Sequence, residues 1–339
     1  MNFLFKKKTE HKRIQLNSKI KTCLKGIIAI ALLAWLFNTI DIDSMKSKIL
    51  ATDFRVFFIS YLIVVFRSIF GALRWQVLLT SRGYKLPLGS LTSYYFIGGF
   101  FNFFCPTVVG GDIGRGFYLY RRGVVKEVAI DSIITERILG VAALICFSFF
   151  SIFINTSLVD VPGLKYMIIA VSICFFSFII LVFHQGTWAL IPKKIKTYAS
   201  NRLGLFVNLW HGIRRYTNSP GVLFKCFLIT ILFQLSGIIA TYLIGISIGC
   251  ATNFFYYLML LPIVWLISMI PITLNGLGLR ESAFVFLFVS VGMNKEAAVS
   301  ISILVFLLAV IQGLLGSIFF IFDKVDIKSI KRGSLSDDK

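Results

Sequence analysis

The chain has 339 residues, of which 57% are apolar, 15% aromatic and only 15% charged, with a formal net charge of +20. A mean hydropathy of +0.85 is more than a soluble globule of this length can hide, so an all-α polytopic membrane protein is expected. The positive charge does not point to nucleic acid, because Lys and Arg gather in tails and loops between apolar stretches, the pattern of a positive-inside bias.

In chain order, residues 1–23 form a basic tail carrying Lys6, Lys7, Lys8, Lys12, Arg13, Lys19 and Lys21. It has no apolar core followed by a small-residue cleavage site, so a cleaved leader is not expected. One transmembrane domain is expected over 24–322, with six stretches near the roughly 20 residues that cross a bilayer. They lie at about 24–40, 56–79, 128–154, 164–184, 222–249 and 298–322. Two shorter apolar pieces, about 90–105 and 254–270, stop at a proline and are followed by a second short helical piece. They read as re-entrant hairpins, one over about 90–121 and the other over about 254–292; the alternative makes one or both full crossings.

Loop charge orients these spans. Lys193, Lys194, Lys196, Arg202, Arg214 and Arg215 fall in a loop without acidic residues, and the 323–339 tail adds Lys324, Lys328, Lys331 and Arg332. With both hairpins turning back, these segments and the amino-terminal tail are all cytoplasmic. Three spans then separate the hairpins, an odd number, so the halves are inverted. Segment 193–216 interleaves its charges with Leu203, Leu205, Phe206, Leu209 and Trp210, which suits either an interfacial helix on anionic lipid or a plain topology-setting loop.

The hairpins carry the most informative pattern. Pro-x4-Gly-x3-Arg occurs as Pro106, Gly111, Arg115 and again as Pro271, Gly276, Arg280, and a Lys-Glu-x-Ala tetrad follows each, at Lys126 and Lys295. The markers repeat at 165 and 169 residues, about half the chain. Inverted repeats whose broken helices meet near the midplane are a recurring transporter architecture; the bland alternative is two kinked helices.

In the first hairpin Gly110 and Gly111 permit positive φ and close approach, and Asp112 reads as the N-cap of the following helix. Free N–H groups there, with Arg115 as a bidentate donor, would suit a phosphate. The second hairpin offers Thr273, Asn275, Gly276, Gly278, Arg280 and Glu281 to the same end. Further charges lie inside apolar segments: Arg67 and Arg74 on one helical face, then Asp131, Glu136 and Arg137. Buried charge needs a partner. Counting Arg67, Arg74, Arg115, Arg137 and Arg280 against Asp112, Asp131, Glu136 and Glu281 leaves one positive charge over, which favours an anionic ligand. The competing reading makes these groups internal ion pairs, with Arg74 snorkelling from a span end.

Metal and cofactor signals are missing from the sequence. His11, His184 and His211 are dispersed, and six scattered cysteines form no metal-ligand spacing. Asp41 and Asp43 match the Asp-x-Asp pattern of some glycosyltransferases but fall in a short loop with no nucleotide-binding domain.

Pro106-Thr-Val-Val-Gly-Gly-Asp-Ile-Gly-Arg115 and Pro271-Ile-Thr-Leu-Asn-Gly-Leu-Gly-Leu-Arg-Glu281 resemble the two signature segments of the lysylphosphatidylglycerol synthase transmembrane, or flippase-like, family, over roughly 20–325. The resemblance implies a bacterial cytoplasmic-membrane protein that moves an anionic lipid, of phospholipid or polyprenyl-phosphate type. A glycosyltransferase using a lipid-linked sugar, with Asp112 or Glu281 as base, and an accessory scaffold in envelope lipid synthesis are the alternatives. Resistance factors of the family carry a soluble aminoacyltransferase domain after the membrane part, whereas this chain ends at Lys339 soon after its last span, so lysyl transfer is not expected of it.

Overall fold

The computed structural model describes residues 23–104, 109–154, 219–270 and 272–322, with a few isolated positions between 166 and 216. Helix α1 spans Cys23–Asn38 and α2 Ile42–Leu50, the pair bent by 91°. The expected first span is thus a short helix that turns sharply, and the expected loop after it is partly helical. Asp41 causes the restart: its carboxylate accepts from the Asp43 amide (3.0 Å) and the Ser44 hydroxyl (2.6 Å), the role of an N-cap.

Two sets of four helices follow. The first is α3 (Phe54–Ser81), α4 (Leu88–Phe104), α5 (Gly110–Arg121) and α6 (Lys126–Ile154). The second is α7 (Pro220–Ser247), α8 (Phe254–Ser268), α9 (Leu279–Ser290) and α10 (Lys295–Phe322), with a 3-10 turn at Leu274–Gly276. Corresponding helices have nearly equal lengths: 28 and 28, 17 and 15, 12 and 12, 29 and 28 residues. The stops correspond too. Gly83 and Gly249 end α3 and α7 at positive φ, and Gly123 and Gly292 do the same for α5 and α9, the left-handed residue that closes a helix.

Among the described residues four helices, α3, α6, α7 and α10, are long and apolar enough to cross a membrane, or five spans if α1 and α2 count as one. The expected span at 164–184 apart from a few isolated positions, the basic segment 193–216 except Tyr216, and both tails except Cys23 lie outside the described residues. At 17 and 15 residues, α4 and α8 are about 25 and 22 Å long, short of a hydrocarbon core of about 30 Å. Each folds back on its short partner. Tyr94 of α4 lies 5.0 Å from Tyr118 of α5, and Tyr257 of α8 lies 4.9 Å from Phe288 of α9.

The halves interlock. α4 packs on α10, with Phe96 stacked on Phe319 and Phe100 on Phe320. In return α8 packs on α6, where Ser148 donates to the Met259 carbonyl at 3.1 Å. The corresponding helices α3 and α7 form the most extensive helix pair and run antiparallel: the Asp53 amide meets the Ser247 carbonyl, Arg67 meets Phe233 and Arg74 meets Thr230. Equivalent helices in opposite directions make the repeat inverted. Large apolar side chains such as Phe54, Phe58, Phe66, Phe224 and Phe286 face outward, as lipid-facing surfaces do.

Candidate functional site

Between the two halves lies a cavity of about 480 Å³, reached by residues from α3 through α10. Small residues make its walls possible. Gly98 of α4 and Gly111 of α5 let the first hairpin close: a Cβ on Gly111 would strike the Gly98 carbonyl, and one on Gly98 would sit 2.9 Å from the Arg115 stem. The side chain of Asn102 accepts from the Gly111 amide at 2.8 Å. Gly110 and Gly111 are helical rather than left-handed, so of their two expected roles only close approach is realised.

Asp112 is not the N-cap. Val109 holds that position and Asp112 sits in the first turn, where its carboxylate binds Arg115 at 2.5 Å and Arg137 of α6. This helix start therefore lacks the free amide cluster expected of it: Asn102 has taken one donor and a carboxylate fills the place of an anion. Arg115 also binds Glu136 at 3.1 Å and lies 4.3 Å from the Tyr95 ring. Glu136 in turn receives Arg74 at 3.0 Å and the Tyr95 hydroxyl at 2.6 Å. Arg74 is buried in this network, and so does not snorkel.

The second hairpin is simpler. Gly276 and Gly278 have φ of 74° and 78°, and a Cβ on Gly278 would come within 2.8 Å of the Ala29 carbonyl in α1. Only glycine suits both constraints. Glu281 reaches back to accept the Gly278 amide at 2.7 Å and binds its neighbour Arg280 at 2.6 Å. The side chain of Asn275 is outside the described residues.

Arg67, Arg74, Asp112, Arg115, Glu136, Arg137 and Arg280 all line the one cavity, although they come from four helices. Asp131 is buried but does not line it. Sequence reasoning missed Tyr95, Asn102, Phe233, Gln234 and Trp265, which also line it. Nothing but a Tyr, Asn or Gln inside an apolar stretch could have flagged the polar ones.

A family model described as the lysylphosphatidylglycerol synthase transmembrane region matches residues 23–316. The chain belongs to that family. No curated protein matches it. The match covers the inverted repeat almost entire, from α1 to within the last two turns of α10, so the interlocked halves and their cavity constitute the family's transmembrane region in this chain. Membership marks a multi-pass membrane protein of lipid metabolism. Within it, the arginines that the repeated motif singles out are paired differently: Arg115 is bound into a carboxylate network, while among the described residues Arg280 has a single acidic partner, its own neighbour.

Proposed function

We propose that the protein is a lipid flippase of the bacterial cytoplasmic membrane, translocating a lipid with an anionic head group through the cavity between its two hairpins. The observation that carries this reading is the charge of that cavity. Five arginines line it against Asp112 and Glu136, and with Glu281 counted beside Arg280 two positive charges remain. Desolvated cations at membrane depth call for an anion. Apolar walls formed by Leu144, Ile244, Phe233, Trp265 and Leu308 suit the first carbons of a lipid while its tails stay in the bilayer. An inverted repeat supports transport, since each half can gate one side of a shared site. Both termini are placed in the cytoplasm on the basic residues of the tails.

A transferase reading has less support. Asp112 and Glu136 each hold two guanidinium groups, and Glu281 is committed to Arg280 and the Gly278 amide. A general base must instead reach a substrate proton.

In proteoliposomes carrying fluorescent phosphatidylglycerol, Arg280→Gln is expected to slow translocation about tenfold or more, the size of a lost charged hydrogen bond of about 1.5–3 kcal/mol. Its thermal transition should stay near wild type, because Arg280 is the least enclosed of the paired cavity arginines apart from Arg137. Flux equal to wild type would discard the assignment.

A further inference from the structure

Arg67 differs from every other arginine of the cavity. Arg74, Arg115, Arg137 and Arg280 each bind a carboxylate, whereas among the described residues Arg67 binds none. Its Nε donates to the Phe233 carbonyl at 3.0 Å and one Nη2 hydrogen to Gln234 at 3.2 Å. A guanidinium carries five N–H donors, so three have no hydrogen-bond partner among the described residues, and the side chain lines the cavity. The group is held rigidly: its carbon lies 4.0 Å from the Phe233 ring centre and 5.5 Å from that of Trp265. Gly237 makes room for both, since a Cβ there would sit 3.0 Å from Trp265 and 3.2 Å from Arg67. Trp265 also shares a small recess with Arg280, and Arg67, Trp265 and Arg280 line the same cavity.

We infer that Arg67 and Arg280, which line the cavity together with Trp265, form an oxyanion subsite for a phosphate-type group, and that Arg115 and Arg74 are not ligands but supports of the cavity wall. The two cations come from opposite halves of the repeat, α3 and the second hairpin, so a bound phosphate would bridge the elements that must move relative to each other. Arg67 supplies an uncommitted fork, and Arg280 can exchange Glu281 for the ligand while Glu281 keeps the Gly278 amide. The cavity is the one assigned to the lipid in the proposed function, but binding and transport are measured separately, so either can fail alone.

The test is thermal stabilisation of the purified full chain in zwitterionic detergent, titrated with inorganic phosphate, phosphatidylglycerol or phosphatidylcholine, alongside flux in vesicles. Wild type should be stabilised by phosphatidylglycerol over phosphatidylcholine, and Arg67→Gln should weaken that response about tenfold. Gln234→Glu keeps Arg67 in place and gives it a carboxylate at the present 3.2 Å contact; it should weaken the response to a similar extent. Stabilisation by inorganic phosphate that equally depends on Arg67 supports the subsite with a free oxyanion as its source. If both variants respond to each anion as wild type does, the subsite is refuted. Arg67-dependent binding without any lipid flux would sustain the subsite and refute the flippase.

Discussion

Glu136→Gln is expected to destabilise the folded bundle by about 3–5 kcal/mol, the cost of breaking a buried ion pair from one side. Glu136 is 1% exposed and is the common partner of Arg74, Arg115 and Tyr95. An amide cannot neutralise two guanidinium groups, and α3, α4, α5 and α6 would all lose their shared anchor. The loss should appear as a large fall in the thermal transition in detergent. Glu127→Gln, on the exposed first turn of the same helix, should change it by no more than about 0.5 kcal/mol. Equal transitions for Glu136→Gln and wild type would mean that the network does not hold the first hairpin in place.

Gly316→Val should be comparably damaging for a steric reason. Gly316 of α10 sits against the Phe96 carbonyl of α4, inside the distance at which a Cβ could be placed, and its virtual Cβ also lies 3.1 Å from the Cβ of Phe100. The obstacle is backbone, which cannot rotate away, so α4 must separate from α10 and the stacked Phe96–Phe319 and Phe100–Phe320 pairs must open. About 3 kcal/mol or more is expected, the upper range for overpacking. Gly99 of α4 has nothing within 4 Å of its virtual Cβ, and Gly99→Ala should be neutral or stabilising by a few tenths to about 1 kcal/mol. Similar thermal transitions for the two variants would show that this crossing between halves is not close-packed.

Much of the architecture could be read from residue order. Apolar stretches beginning near 56, 128, 222 and 298 became α3, α6, α7 and α10, because nothing but a helix satisfies the backbone inside lipid. The prolines and glycines of the repeated motif marked the hairpins, since chain reversal needs residues that stop one helix and start another. The early break was not legible: α1 and α2 read as one span and a loop because apolar composition does not reveal a capping aspartate such as Asp41. Nor was the placement of Asp112, which resembles an N-cap by position yet is drawn into the turn by Arg115 and by Arg137, 25 residues on.

The sequence by itself determined the membrane class, the doubled hairpin motif and a surplus of positive charge, all of which follow from composition, periodicity and local backbone requirements. Only the tertiary structure decided which cavity arginine lacks a carboxylate partner among the described residues. The antiparallel pairing of α3 with α7 sets Arg67 against Phe233 and Gln234, 166 and 167 residues away. The folding of α5 onto α6 sets Arg115 against Glu136. Charge counts along a chain add up whichever groups meet, but neutralisation acts over a few ångströms, so which of the described arginines goes without a carboxylate is fixed by which helix faces touch.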